Sequence, residues 1–597
     1  MGWPYHFVSL TDEQQIDRRH ALDWYAVVGQ LSVLTPLFLC QCFFFARWII
    51  RRWRKAAQHQ PPSSPIVKHA KLGRFARFEA QLRKIQWWAG GEIRLLGGRL
   101  GTKGEVVGAV VWFCWLVVLC FMQTGDDYMH LTKRFGIVAA SQLPLHYLLA
   151  IKSPYSPLQL LTRTSHETIN TLHQLLGRII ICLLTVHAIL YLNFYVLSSL
   201  LLAKIQQFYV ICGIIGILSF VTVGTTALAP VRKWNYRVFY VIHVSLATAL
   251  LPILYFHVSH IRPYLYQTAA IYAVNAVLRH ITTKKMAGTL TLIPGTNLVE
   301  VKIANTTGSE KRHQPGKWQA GQHAYVSLPG YRFLTTFRSN PFTVASLPSI
   351  DGEIKFVARV LDGNTRKLAQ YATKDGNANI MRNISVEGPY GVASHGEDLL
   401  RYDRVLLIAG GIGSTFILPL YRQLLADLSP SRRSYRRQKV SFVWIARSKA
   451  DVMWALPQGD VEREGFVERL KVCITGQEDL GDESAPSSAF AVGEDENETN
   501  NTALGETDEG IELEEQKQLL AESNSASQGA SNETLAISAG RPETSRLVAQ
   551  AFTHSTTERV AVLVCGPDSL NASVRNEVGK WVMKGRDVWF WNESFSL

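Results

Sequence analysis

Long apolar segments constrain the fold of this chain more than any other feature of its sequence. A helix needs roughly 20 mostly apolar residues to cross the hydrocarbon core of a membrane. Seven segments approach that length: 24–45, 106–122, 135–151, 172–192, 208–229, 238–258 and 265–281. After the last of them the apolar runs become short and alternating. We therefore expect an α-helical membrane bundle of about seven spans, followed by a soluble half.

Basic residues between the spans predict the orientation of the bundle. The segment 47–103 contains 14 Lys and Arg against two Glu, and the positive-inside rule places such a segment in the cytosol. Its middle, residues 66–88, mixes basic and aromatic residues, which is typical of an interfacial helix and equally of a solvated basic loop. Because the net charge of +14 thus reflects membrane topology, we expect membrane lipid as a partner and no nucleic acid.

Four histidines share one spacing inside two of the predicted spans. His173 and His187 lie in the fourth span and His243 and His257 in the sixth, each pair 14 residues apart. Fourteen residues return to within roughly 40° of the starting face of a helix and rise about 21 Å. The two spans run in the same direction, so His173 is level with His243 and His187 with His257. Two stacked imidazole pairs indicate two bis-histidine haems; the competing interpretation is hydrogen-bonded structural histidines.

The soluble half divides into two patterns. Residues 286–398 contain short alternating strands separated by Gly and Pro, which predicts a small antiparallel barrel. Residues 399–597 begin with a buried strand at 404–409, a turn at 410–415 that contains Gly410, Gly411 and Gly413, and a helix. Such a turn lets backbone N–H groups approach a phosphate. Arg447, which ends the next strand, is placed to meet a 2′-phosphate, unless it is an ordinary surface arginine.

A strongly acidic segment interrupts the second pattern. Between Gly476 and Ser545 the chain has 17 acidic residues against two basic ones. Few aromatic residues accompany this charge, so we expect residues 477–539 to be a disordered insert. The predicted division of the whole chain is therefore 1–104 for the first span and basic loop, 105–285 for the haem-binding bundle, 286–398 for the barrel and 399–597 for the nucleotide-binding domain.

These parts, in this order, resemble the fungal ferric reductases, which belong to the superfamily that includes the NADPH oxidases. The resemblance covers about residues 106–597. Besides the histidine pairs it rests on several short motifs: 315–322 (PGKWQAGQ), 340–343 (NPFT), 386–391 (VEGPYG), 410–413 (GGIG), 540–542 (GRP), 565–567 (CGP) and 593–595 (ESF). It implies a ferredoxin-reductase-like module after the membrane bundle, formed by an antiparallel β-barrel flavin domain and an α/β nucleotide-binding domain.

The resemblance also implies cofactors and the residues that hold them. The cofactors are FAD, NADPH and two haems b, with the four histidines as iron ligands. The implied cofactor-binding residues are Arg338, Pro341, Phe342, Thr343, Ser346, Gly388, Gly391, Gly410, Gly411, Gly413, Ser414, Arg447, Cys565, Gly566 and Phe595. Relatives often have His where this chain has Asn340, which keeps a donor and an acceptor but loses the titratable ring.

The implied activity is an NADPH-dependent ferric-chelate reductase, an oxidoreductase that moves electrons across a membrane to ferric or cupric chelates. The implied location is the plasma membrane, with the vacuolar and endoplasmic reticulum membranes as alternatives, and an iron permease or another protein as partner is left open. Two other functions remain: a superoxide-generating NADPH oxidase, and a non-enzymatic haem protein whose acidic insert recruits a partner. Equal spacing in both histidine pairs resembles the reductases more than the oxidases.

An outward loop suggests where ferric iron could dock. Asp126 and Asp127 follow the second span, and hard ferric iron prefers oxygen ligands. The competing interpretation is that both carboxylates are merely solvated.

Overall fold

The computed structural model contains a helical bundle, an antiparallel sheet and a parallel sheet. It describes residues 4–57, 74–153, 155–303, 318–328, 340–361, 363–374, 380–391, 399–428, 439–457, 465–476, 535–555 and 558–593. Two predicted cofactor-binding residues, Arg338 and Phe595, and most of the predicted acidic insert lie outside the described residues.

Thirteen helices and one hairpin make up the described part of the N-terminal half. They are α1 (Asp12–Leu31), α2 (Leu34–Ala57), α3 (Arg74–Ala89), β1 (Glu92–Leu95), β2 (Gly98–Thr102), α4 (Lys103–Phe121), α5 (Tyr128–Ser141), α6 (Leu143–Leu149), α7 (Pro157–Thr162), α8 (His166–Leu197), α9 (Leu201–Ile205), α10 (Phe208–Thr226), α11 (Ala229–Trp234), α12 (Tyr236–His257) and α13 (Arg262–Thr282).

Five helical segments among the described residues are long and apolar enough to cross a membrane: residues 12–46, α4, α8, α10 and α12. The third predicted span is not among these five segments. It is divided between α5 and α6, which have only 14 and 7 residues. Pro144 lies in the first turn of α6, where its missing N–H costs nothing, whereas inside a helix it would break the hydrogen-bond ladder. The seventh predicted span lies within α13, whose Tyr, Gln, Asn and Arg side chains make it less apolar than the other five.

The bundle is followed by a six-stranded antiparallel sheet. Its elements are β3 (Thr283–Leu292), β4 (Leu298–Ile303), β5 (His323–Ser327), β6 (Asn340–Thr343), α14 (Pro348–Asp351), β7 (Ile354–Arg359), α15 (Asn364–Lys374) and β8 (Arg382–Tyr390). The strand order is β6-β5-β8-β3-β4-β7. The two edge strands approach each other through a bridge between Val344 and Phe356 and a 2.8 Å hydrogen bond from Ala345 N–H to the Lys355 carbonyl oxygen. The sheet is thus a nearly closed barrel, which confirms the predicted fold.

A parallel sheet flanked by helices completes the chain. Its elements are β9 (Arg404–Gly410), α16 (Ser414–Leu428), β10 (Lys439–Ala446), α17 (Ala450–Met453), β11 (Leu470–Ile474), β12 (Ala536–Ala539), α18 (Thr544–Gln550), β13 (Val560–Cys565), α19 (Asp568–Met583) and β14 (Val588–Glu593). The strand order is β12-β11-β10-β9-β13-β14. The order reverses between β9 and β13, and in such sheets ligands bind beyond the carboxyl ends of the strands at that point.

The acidic insert ends earlier than its predicted boundary. Ala536–Ala539, which the sequence pattern assigned to the insert, form β12 and pair in parallel with β11. The strand has only four residues, Ala-Ile-Ser-Ala, which is too short a pattern to stand out in the sequence beside the acidic run. The physical reason for the difference is that an edge strand of four residues is stabilised by its neighbour rather than by its own composition.

The N-terminal strap, which we define as α3, β1 and β2, joins the parallel sheet to the bundle. The Arg575 Nη2 group donates a 2.7 Å hydrogen bond to the Trp87 carbonyl oxygen and its guanidinium lies 4.4 Å from the Trp87 ring centroid. Arg94 forms a 3.0 Å ion pair with Asp568. At the other end of the strap, Lys233 Nζ donates to the Gly97 carbonyl oxygen at 2.7 Å. Helix α3 therefore packs on the domain that contains the parallel sheet.

A second junction, the seam, holds the barrel against the bundle. It consists of Lys152 and Arg279 from the bundle and Tyr325, Glu387 and Tyr390 from the barrel. Arg279 pairs with buried Glu387 at 3.3 Å, and the Tyr390 hydroxyl donates to Glu387 Oε1 at 2.7 Å. The Lys152 ammonium lies 3.1 Å from the Tyr325 ring centroid. Burial lowers the pKa of Lys152 to about 7, although Glu387 acts in the opposite direction.

Candidate functional site: two imidazole pairs, an antiparallel barrel and a glycine turn

The structure brings the first predicted histidine pair together. The ring centroids of His173 on α8 and His243 on α12 lie 6.3 Å apart. A metal–imidazole bond is about 2 Å long, so one iron fits between two rings at this separation. The pair lies toward the barrel end of the bundle. His166, which begins α8, is seven residues before His173, about 10 Å along the helix, and its ring lies 6.3 Å from that of Tyr390 in the seam.

The second predicted pair lines a large cavity. His187 on α8 and His257 at the end of α12 both face a space of about 460 Å³ bounded by α5, α8, α9, α10 and α12. This volume lies within the usual range of roughly 300–1,000 Å³ for small-molecule and cofactor sites. Apolar and aromatic side chains form most of its wall.

Backbone carbonyl groups orient three of the four rings. The Nδ1–H groups of His173, His187 and His257 donate to the carbonyl oxygens of His146, Thr132 and Tyr209, at 3.1, 2.7 and 2.7 Å. Metal-bound histidines usually donate their second ring N–H in this way. Each of these rings therefore keeps Nε2 and its lone pair for a metal. The buried Nδ1 atom of His243 has no hydrogen-bond partner among the described residues.

We call His173 and His243 the inner pair, and His187 and His257 the outer pair. Two glycines leave space for the rings of the outer pair. A Cβ added to Gly136 would lie 2.6 Å from His187 Cε1, and one added to Gly213 would lie 2.5 Å from His257 Cε1. Both distances are far below van der Waals contact. Sequence reasoning did not select these glycines, although a glycine inside an apolar span is a signal that could have identified them.

A fifth imidazole, that of His146, was not predicted from the sequence. The ring of His146 on α6 stacks on that of His173, with centroids 4.0 Å apart and planes 10° from parallel. Its Nδ1 atom is buried and has no hydrogen-bond partner among the described residues. Gly177 leaves room for it, because a Cβ there would lie 3.0 Å from His146 Cε1. His146 thus contributes its carbonyl group and its ring to the inner pair.

The two loop aspartates have different surroundings. Asp127 is buried, accepts hydrogen bonds from the backbone N–H groups of Met129 and His130, and pairs with Arg18 at 3.0 Å. Its carboxylate caps α5 and balances a cation, so the structure does not support Asp127 as an iron ligand. Asp126 is exposed, and its carbonyl oxygen accepts a hydrogen bond from the backbone of His6.

The predicted flavin-binding residues surround β6 and the end of β8. Pro341 is exposed on β6 and Phe342 is half-buried, whereas Thr343 is buried. The hydroxyl of buried Ser346 donates to the Glu353 carbonyl oxygen and accepts from Lys355 N–H, both at 2.9 Å, so it stabilises the barrel. Gly388 lies within β8 and Gly391 directly follows it. Gly391 has a φ of 94°, which favours glycine.

The predicted dinucleotide turn lies where the strand order reverses. Gly410 ends β9, Gly413 precedes α16, and Cys565 ends the adjacent strand β13. A Cβ on Gly413 would lie 2.2 Å from the Cys565 carbonyl oxygen, and one on Gly410 would lie 2.8 Å from Pro567 Cδ. These glycines therefore allow the two strand ends to approach each other.

Other predicted residues lie around the same turn. Gly411 has a φ of 54°, and its carbonyl oxygen accepts a 3.2 Å hydrogen bond from Trp444 Nε1. Ser414 is fully buried at the start of α16, and its hydroxyl has no hydrogen-bond partner among the described residues. Gly566 packs within 3.1 Å of Gly410, measured from the position of an added Cβ. Arg447 is exposed just beyond the end of β10.

Two titratable groups lie at the ends of neighbouring strands. Burial raises the pKa of the Cys565 thiol well above its ordinary value, and the nearby carboxylate of Glu593 adds to the effect. Glu593, at the end of β14, has its pKa raised to about 7, first by burial and then by Glu167 at the start of α8. The Glu593 carboxylate accepts a 3.0 Å hydrogen bond from Trp591 Nε1.

Three sequence-family models match successive parts of the chain. The model described as "Ferric reductase like transmembrane component" matches residues 135–254, "FAD-binding domain" matches 284–394, and "Ferric reductase NAD binding domain" matches 402–579. The three matches follow one another in the order bundle, barrel and parallel sheet.

Curated relatives agree with these matches. "Ferric reductase transmembrane component 4" of Saccharomyces cerevisiae is 26% identical over 76% of this chain and 60% of its own length. "Probable cell surface ferric reductase kap2" of Aspergillus oryzae is 24% identical over 58% and 45%, respectively. "Probable metalloreductase AIM14" of Meyerozyma guilliermondii is 26% identical over 78% and 85%. The chain thus spans about half the length of the first two relatives.

Proposed function

Because this chain belongs to the fungal ferric reductase family, we propose that it is a transmembrane metalloreductase that transfers electrons from cytosolic NADPH to ferric or cupric chelates on the far side of the membrane. It is an integral membrane protein with FAD-binding and NAD(P)-binding domains. One observation supports the proposal most: two imidazole pairs lie at two levels of a helical bundle, and the barrel joins the bundle near the first of them.

The residues present fit two haems b. At the inner site one iron fits between the rings of His173 and His243, and at the outer site His187 and His257 share a cavity of about 460 Å³. Haem held at these sites would supply one-electron redox chemistry, and FAD held in the barrel would supply hydride chemistry together with single-electron release. Two imidazoles for each iron would suit electron transfer.

The chain's own residues position these groups. The carbonyl oxygens of His146, Thr132 and Tyr209 hold three rings with Nε2 available for the iron. The turn Gly410–Gly413 and the N-terminus of α16 provide backbone N–H groups and a favourable dipole for the dinucleotide phosphates. The seam keeps the barrel beside the start of α8, so the flavin site stays close to the inner pair.

NADPH rather than NADH is supported by Arg447. Its exposed guanidinium follows β10, the neighbour of β9, and an arginine at this place suits a 2′-phosphate. We further propose the division 1–104, 105–285, 286–398 and 399–597 for the domains. We also propose the plasma membrane as the location, in keeping with the words "cell surface" in the name of one relative, and membrane lipid as the surroundings of the bundle.

The test uses the purified full-length protein with haem and FAD bound. NADPH or NADH is added without oxygen, and ferric citrate or a cupric chelate is offered as acceptor. We expect haem reduction by NADPH, re-oxidation by the metal chelate, and a lower KM for NADPH than for NADH. A second arm offers oxygen alone. Superoxide as the main product would assign the chain to the oxidases, and an absence of NADPH turnover would reject an enzymatic function.

A further inference from the structure

The cavity lined by the outer pair, His187 and His257, which we call the outer cavity, carries charge of only one sign. Among the described residues that line it, Lys133 and Lys204 are cationic and none is Asp or Glu. The rest of the wall consists mainly of apolar and aromatic side chains, together with the rings of His187 and His257. A cation in such surroundings is costly unless an anion pairs with it. The described wall supplies no carboxylate, so an anion that pairs with these lysines inside the cavity would belong to its occupant.

Lys133 is the sequence neighbour of the residue that orients one of the outer rings. It follows Thr132, whose carbonyl oxygen holds His187 Nδ1 at 2.7 Å. The side chain of Lys133 is half-buried, and its ammonium group has no hydrogen-bond or ion-pair partner within the described ranges. Asp127, the acid whose charge acts on Lys133, is paired with Arg18 at 3.0 Å. This lysine is therefore available to an anion in the cavity.

Lys204 has the corresponding place beside the other ring. It lies on α9, five residues before Tyr209, whose carbonyl oxygen holds His257 Nδ1 at 2.7 Å. Its ammonium group lies 3.5 Å from Gln207 Oε1, a long contact with a neutral group. Each outer histidine is thus oriented by a segment that also places one lysine in the same cavity.

We propose that Lys133 and Lys204 form a carboxylate-binding pair whose ligands are the two propionates of the outer haem. The haem combines an apolar ring system, an iron for two imidazoles and two carboxylates, which matches the wall of this cavity group by group. Charge-assisted hydrogen bonds from ammonium to carboxylate are among the strong ones in proteins. The identity of the occupant rests on the proposed function. A carboxylate-bearing ferric chelate is the other source of the same chemistry.

The test replaces each lysine in the full-length, haem-loaded protein. The variants are Lys133→Gln, Lys204→Gln and the double variant, with Lys133→Arg and Lys204→Arg as charge-conserving partners and Lys233→Gln as a control at the opposite end of the bundle. Optically monitored redox titration measures the midpoint potential of each haem. Removal of a nearby cation favours the more positively charged ferric form, so the outer potential should fall in the Gln variants. It should stay near the wild-type value in the Arg variants, and the inner potential should not change.

A second measurement separates the two sources of carboxylate. If the lysines bind the incoming chelate instead, the Gln variants keep both potentials, while the KM for ferric citrate rises several-fold and that for an uncharged chelate does not; this outcome overturns the haem assignment. Unchanged potentials with unchanged KM values would reject the pair altogether and leave two lysines that extend toward lipid headgroups. A wild-type protein that binds no second haem refutes the proposed function before any variant is made, and an intact inner-haem spectrum shows that a variant has folded.

Discussion

The imidazole of His146 stacks on that of His173 at a centroid distance of 4.0 Å, and the carbonyl oxygen of the same residue accepts the Nδ1–H of His173. One residue of α6 therefore fixes both the rotation of the inner ring and its tautomer. The backbone contact survives any substitution of the side chain, so the effect of the stacked ring can be measured separately.

We predict that His146→Leu raises the midpoint potential of the inner haem. The substitution replaces a polar ring with an apolar side chain, and a less polar surrounding disfavours the charged ferric form. The outer haem of the same molecule is the internal control, since its potential should not move. Redox titration and the low-temperature EPR spectrum check the prediction. Two haems indistinguishable from those of the wild type would show that the stacked ring has no influence.

We predict that Gly136→Ala and Gly213→Ala each reduce occupancy of the outer haem while the inner haem is retained. The added Cβ atoms would lie 2.6 and 2.5 Å from the rings of His187 and His257, and such overpacking costs about 1–3 kcal/mol. Gly108→Ala on α4 is the matched control, because its Cβ would meet no atom within 4 Å. Haem content per protein measures the effect. Equal loss of both haems would instead indicate general unfolding of the bundle.

We predict that Gly413→Ala strongly impairs reduction by NADPH. The new Cβ would lie 2.2 Å from the Cys565 carbonyl oxygen, so the two strand ends have to separate, and misplacement by about 1 Å can cost on the order of 10²-fold in rate. Haem and FAD content should remain normal. Gly465→Ala, in open space within the same domain, is the control. Stopped-flow measurement of flavin reduction checks this, and a rate close to that of the wild type contradicts it.

We predict a pH-dependent stability that Glu593→Gln removes. Because the pKa of Glu593 is raised to about 7 in the fold, the native state binds this proton more tightly than the unfolded state. The free energy of unfolding should therefore fall as pH rises from about 4.5 to about 7, by no more than about 3 kcal/mol, and level off above that. Thermal unfolding of the full chain at several pH values measures it. Parallel pH profiles for both proteins would place the carboxyl in a more solvated site.

We predict that Trp87→Ala loosens the nucleotide-binding domain. The substitution removes the ring that contacts Arg575 and Phe590, and a partly exposed cation–π contact contributes about 0.5–2 kcal/mol. Hydrogen exchange in α19 should become faster. Trp88→Ala is the matched control, since the neighbouring side chain is 52% exposed. If both variants accelerate exchange equally, the effect belongs to α3 as a whole rather than to the Trp87 contact.

The features that could be predicted from the sequence are those that depend on local periodicity. Residues 14 apart on one helix share a face whatever surrounds them, so the level pairs of α8 and α12 could be expected from spacing alone. The same holds for the turn at Gly410, where a buried strand, glycines and a helix follow one another. The alternating strands of the barrel are local in the same sense.

Contacts between distant elements could not be predicted in this way. His146 lies in a segment that reads as one continuous span, and only the division between α5 and α6 places its ring on His173. Ser346 belongs to a motif typical of flavin binding, yet its hydroxyl is bound to the neighbouring strand. Lys152 of the bundle and Tyr325 of the barrel meet although they are far apart in the sequence. Tertiary packing decides such pairs, and neither hydropathy nor a short motif encodes them.

The strap also sets an order of events during biosynthesis. Trp87 and Arg575 are 488 positions apart, and a ribosome adds about 5–20 residues each second. Helix α3 is consequently complete roughly half a minute to a minute and a half before α19 emerges to cover it. Throughout that interval the Trp87 ring lacks its native contacts with Arg575 and Phe590. A nascent chain released before α19 has been made would keep the Trp87 ring without these contacts, and exposed hydrophobic surface of this kind makes incomplete chains prone to aggregate.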